Sequence, residues 1–73
     1  MTLIEWLATQ GVTIARAETG AIRLSSGKTA IVTESAEGKI TIRHPGNAAR
    51  AQSYYLRANS WASALKLIRA NVR

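Results

Sequence analysis

Seventy-three residues with 47% hydrophobic content and no cysteine make one domain, residues 1–73, which must hold together without disulfides or thiolate-bound metal. A chain this short buries roughly 60% of its unfolded surface, so its stability is marginal. The net charge is +6, and its distribution is one-sided: residues 1–37 hold Glu5, Glu18, Glu34 and Glu37 against three bases, whereas Lys39, Arg43, Arg50, Arg57, Lys66, Arg69 and Arg73 face no acid at all in residues 38–73. Charge left unbalanced on a small body repels itself and is usually kept for a partner. Here that partner is a polyanion, meaning nucleic acid or an acidic protein surface near it. No apolar run approaches the roughly 18 residues of a membrane span. The start, Met1-Thr2-Leu3-Ile4-Glu5-Trp6, does not read as the basic n-region of a secretory signal. A cytoplasmic location is therefore the default expectation.

Thr2 to Gln10 predicts a short helix. Thr2 caps it, Glu5 completes a capping box, and Leu3, Ile4, Trp6 and Leu7 form its apolar stripe. Gly11 ends it. The period then changes. Val12–Arg16, Ala21–Ser25 and Lys39–Arg43 alternate as half-buried strands do, and Thr29–Glu34 is rich in β-formers. The breaks at Glu18-Thr19-Gly20, Ser25-Ser26-Gly27-Lys28 and Ser35-Ala36-Glu37-Gly38 each carry a glycine suited to a tight turn, so the strands form an antiparallel meander. One face is apolar: Val12, Ile14, Ile22, Leu24, Ile40, Ile42 and either Ile31 or Val32. The other carries Arg16 or Ala15, Arg23, Thr41 and Arg43.

Pro45-Gly46-Asn47 stops the fourth strand. Residues 48–59 leave two readings open, since Ser53-Tyr54-Tyr55-Leu56-Arg57 suits a short fifth strand or an ordered loop. Asn59 or Ser60 caps a second helix. Its stripe is Trp61, Ala64, Leu65, Ile68 and Val72. The expected fold is α+β: a short N-terminal helix, an antiparallel meander of about four strands, and a C-terminal helix packed on the sheet.

Chemistry-bearing motifs fail on inspection. Ser26-Gly27-Lys28-Thr29 resembles the end of a P-loop. The required glycine five positions before Gly27 is Ile22, however, and a strand follows instead of a helix. A hairpin turn is the better reading. His44 has no Cys or Asp to join it as a base or metal ligand, and it reads as a solvent-facing residue at a strand end. No catalytic residue, metal site, cofactor or small-molecule substrate is expected.

Arg50 to Arg57 interleaves bases with Tyr54 and Tyr55, a mixture that suits phosphates and unpaired bases. The other reading is that one tyrosine packs in the core and the arginines are merely solvated; adjacent tyrosines cannot both face the same way in a strand, so both readings stay open. Trp6 and Trp61 read as core residues, close to each other. An exposed Trp6 would instead anchor a protein partner.

In length, in its lack of cysteine, and from Met1-Thr2-Leu3-Ile4-Glu5-Trp6 through Leu65-Lys66-Leu67-Ile68-Arg69, the chain resembles the small regulators that phages encode to act on host transcription. The resemblance implies a viral, non-catalytic protein that binds bacterial RNA polymerase, inhibits initiation by weakening σ-factor binding, and acts as an antiterminator during elongation. No binding residue carries over by motif. From charge and exposure, Leu3, Ile4, Glu5 and Trp6 are the expected protein contact. Arg43, Arg50, Tyr54, Tyr55, Arg57, Lys66, Arg69 and Arg73 are the expected contact to nucleic acid or an acidic surface. The alternative function is a basic DNA- or RNA-binding module, and a third is a domain that pairs with an acidic partner such as an antitoxin. If the long loop and the last helix lie on one side, the charge polarity of the sequence is also a polarity in space.

Overall fold

Five strands follow one another in a single antiparallel sheet of order β1-β2-β3-β4-β5. The computed structural model describes residues 1–47 and 49–71. Its elements are α1 (Leu3–Thr9), β1 (Thr13–Arg16), β2 (Ala21–Arg23), β3 (Thr29–Glu34), β4 (Ile40–His44), β5 (Tyr54–Ala58) and α2 (Trp61–Ala70), with a 3₁₀ turn over Ala17–Thr19. The expected α+β architecture is present. The meander gains a fifth strand because Tyr54 to Ala58 pairs along β4, from His44↔Tyr54 to Ile40↔Ala58. Val72 and Arg73 lie outside the described residues.

α1 begins where local chemistry supplies its missing acceptors. The Thr2 hydroxyl accepts from the Glu5 amide at 3.2 Å, and the Glu5 carboxylate accepts from the Thr2 amide at 2.8 Å. This reciprocal box satisfies two orphan donors. The helix ends as glycine placement predicts: Gly11 takes φ +90°, its amide donates to the Ala8 carbonyl, and the Val12 amide donates to that of Leu7. α2 is capped by Ser60, whose hydroxyl accepts from the Ser63 amide at 3.1 Å.

Both helices serve one face of the sheet. Leu3 and Leu7 from α1, and Ala64, Leu65 and Ile68 from α2, join Ile22, Ala30, Val32, Ile40, Ile42 and Ala58 in one cluster. Val32 and not Ile31 points inward, which settles the parity of β3. Each fully buried Leu or Ile here contributes about 1.5–3 kcal/mol. Trp6 and Trp61 are half-buried at the rim of this cluster, with ring centroids 5.7 Å apart. The Trp61 indole N–H donates to the Glu34 carboxylate at 2.9 Å, so that acid belongs to the helix side. Gly20 brings β2 against β3 at close range: its φ is +72°, and a Cβ there would overlap the Val32 carbonyl.

His44 corrects the sequence reading. It does not face solvent but is 1% exposed, the buried polar residue of the core. Its Nδ1 accepts from the Gly46 amide at 3.0 Å. That bond leaves Nε2 to carry the proton and donate to the Asn71 carbonyl. The ring stacks on Tyr54 with centroids 4.8 Å apart. The Tyr54 hydroxyl in turn donates to Asn71 Oδ1 at 3.2 Å, so the end of β4, the start of β5 and the end of α2 are tied together.

Candidate nucleic-acid interface

The sheet face turned away from the helices has a composition opposite to the core. Pairing places one row straight across all five strands: Arg16↔Ala21, Ala21↔Ile31, Ile31↔Arg43, Arg43↔Tyr55. A second row is Thr33↔Thr41↔Arg57 and a third is Thr13↔Arg23↔Thr29. Arg16 joins this face because the register slips between Ile14 and Arg16. Such a bulge re-aims the side chain that follows it.

Arg16, Arg23, Arg43 and Arg57 are all exposed. Glu34 pairs with Ile40 and so points to the helix side. Glu18 lies in the 3₁₀ turn and Glu37 in the turn before β4. The rows therefore hold four arginines and no carboxylate. Among the described residues the ion pair is Lys39–Glu37 at 3.9 Å, on an exposed turn. Arg23 makes a hydrogen bond to the Gly27 carbonyl at 3.2 Å, which leaves its charge uncompensated.

Tyr55 stands on this face 63% exposed, while Tyr54 is 8% exposed on the other. The adjacent tyrosines thus divide as strand geometry requires. Arg43 is directly opposite Tyr55, and Arg57 follows two residues along the same strand face.

The segment between β4 and β5 hems one end of the face. Gly46 has φ +101°, and a Cβ on it would stand 2.8 Å from the carbonyl oxygens of both Arg50 and Ala51. The Asn47 side chain accepts from the amides of Ala49 and Arg50 at 3.0 and 2.8 Å, and the Lys28 ammonium donates to the Gly46 carbonyl at 3.3 Å. The Lys28 hairpin tip, read above against a P-loop, thereby braces this loop. Beside it a shallow depression is lined by Thr29, Ile31, Arg43, Pro45 and Ser53.

The residues expected as contacts are divided by the fold. Arg43, Tyr55 and Arg57 share the open face. Tyr54 is in the core, with the Arg50 guanidinium 4.5 Å above its ring. Lys66 and Arg69 ride on α2, and Arg69 donates to the Gln10 carbonyl at the end of α1. The second-half bases are thus on two sides of the molecule, and the sequence polarity does not carry over as one pole. The open face instead draws Arg16 and Arg23 from the more acidic half. The signal for Arg23 in the sequence was strand parity, not the charge count, while Arg16 reaches this face through the register slip after Ile14. Arg73 lies outside the described residues.

The N-terminal group is largely engaged within the fold. Leu3 is buried, Ile4 and Trp6 are half-buried against the core, and Glu5 is exposed but held by Thr2. The Thr2 amide, and secondarily its hydroxyl, hold the Glu5 carboxyl below its ordinary range. Among the described residues no cluster of three or more His, Cys, Asp or Glu could hold a metal ion, and no helix is long and apolar enough to cross a membrane. Comparison with protein-family models, with characterised proteins and with solved structures returned no match.

Proposed function

We propose that this chain is a non-catalytic module that binds nucleic acid through the open face of its sheet. The observation that carries the reading is the set Arg16, Arg23, Arg43 and Arg57 on one uncovered face without a carboxylate. Two cations on β1 and β2 and two on β4 and β5, with neighbouring strands about 4.8 Å apart, form a platform on which a phosphate backbone can lie. Arginine suits that task because its planar fork donates two parallel hydrogen bonds to phosphate. Binding of this kind releases counterions, so affinity falls steeply between about 50 and 200 mM salt.

The test is fluorescence anisotropy of labelled oligonucleotides across that salt range, with wild type and Arg43→Ala/Arg57→Ala. A steep salt dependence that flattens in the double variant supports the reading. The resemblance to phage regulators of transcription suggests a different partner, bacterial RNA polymerase, for the same basic face. Retention on core polymerase together with absent oligonucleotide binding would overturn the nucleic-acid reading in its favour.

A further inference from the structure

We infer that the open face selects single-stranded nucleic acid, with Tyr55 stacking on one base and the neighbouring depression receiving a second. This deepens the preceding proposal and rests on it. Arginines alone do not distinguish strands from duplexes, because both present phosphates. Tyr55 does. It is 63% exposed, on a strand face that no element among the described residues covers, and an aromatic ring so placed stacks on a base only when that base is unpaired. Arg43 directly across on β4 and Arg57 two residues on along β5 place two cations beside the ring, to meet the phosphates of a stacked nucleotide.

The depression lies beside Arg43 and Ile31, toward the end of the sheet where Thr29, Pro45 and Ser53 complete its lining. Ile31 and Pro45 give it apolar surface, while Thr29, Ser53 and Arg43 supply hydroxyls and a guanidinium at its rim. An apolar wall with a few polar groups at its edge is what a planar heterocycle needs for packing and edge hydrogen bonds. The loop that forms this rim is fixed from within by Gly46, by Asn47 and by the Lys28 contact. Tyr55, Arg43 and Ile31 lie on successive strands of one register row.

Affinities are measured by anisotropy at fixed salt for four ligands: a DNA single strand, an RNA single strand of the same sequence, the DNA duplex, and an abasic phosphodiester of equal length. The expected order places both single strands above the duplex and the abasic chain. Tyr55→Ala lowers single-strand affinity about tenfold, as loss of one base stack requires, and leaves the abasic chain unchanged. Tyr55→Phe restores it. Amide shifts on adding the single strand then map to Ile31, Ser53 and Tyr55. Equal affinity for all four ligands, lost on Arg43→Ala but not on Tyr55→Ala, overturns this inference while leaving the arginine platform standing. Absence of binding to every ligand overturns both.

Discussion

The two faces of this sheet are built from the same strands, often from neighbouring residues, and obey opposite rules. On the helix side every strand offers apolar residues, and the buried imidazole of His44 has both nitrogens satisfied. On the open side the same strands offer Arg16, Arg23, Arg43 and Arg57 with no acid among them. A face needed only for solubility is better served by mixed charges, which do not repel one another. The covered face therefore answers to folding, and in the function proposed above the open face answers to a partner. Substitutions one residue apart in sequence should then have unrelated consequences.

The largest expected effect is on the covered face. Ile42, 1% exposed, contacts the core from the central part of the sheet, and Ile42→Ala should cost about 2–5 kcal/mol. A domain of this size has only about 4–11 kcal/mol in total, so urea titration should find the variant near the edge of unfolding. Its neighbour Arg43 makes the contrast. His44→Leu comes next: it keeps bulk but strands the buried Gly46 amide, at about 1–3 kcal/mol, while the half-buried Asn71 carbonyl can turn to water. A His44→Leu melting temperature equal to wild type would show that these bonds carry no net stability.

Arg43→Ala and Arg57→Ala should behave in the reverse sense. Both residues are exposed, so each change should alter stability by no more than about 0.5 kcal/mol. Each should reduce the slope of log affinity against log salt by about 1. Loss of stability matching that of Ile42→Ala would mean the open face is structural after all.

How much of this contrast was legible in the sequence differs by element. Alternation in Ile40-Thr41-Ile42-Arg43 separates the two faces without any structure, because strand parity is a local property. The Thr2–Glu5 box was equally local. β5 was ambiguous because its inward positions are Tyr54, Leu56 and the small Ala58, and the doubled tyrosine blurs the period. His44 was misread because its burial depends on Tyr54 and Asn71, 10 and 27 residues away, and no local pattern encodes that. The open face was half visible. Arg23 and Arg43 follow from parity, while Arg16 is placed by the register slip after Ile14. The division of basic residues between open face and α2 depends on which side the last helix packs, a tertiary choice.

The smallest effect concerns the acids, which the contrast assigns to folding or to turns and not to the binding face. Glu5 is the sharpest case, since its carboxylate accepts from the Thr2 amide at 2.8 Å and titrates below the ordinary value of 4.5 for that reason. Below 4.5 the unfolded chain takes up the proton before the folded chain does. Acid therefore favours unfolding in that window. The stabilising contribution is fully present above 4.5 and is lost as pH falls through the lowered folded value. Glu5→Gln removes the titrating group, so its melting temperature should depend less on pH below 4.5 than that of wild type. At neutral pH the variant should bind the single-stranded oligonucleotide as wild type does, because Glu5 sits on the helix layer, across the sheet from Tyr55. A change in affinity at neutral pH without a change in the acid limb of the stability curve would place Glu5 at an interface and break the division of labour between the two sides.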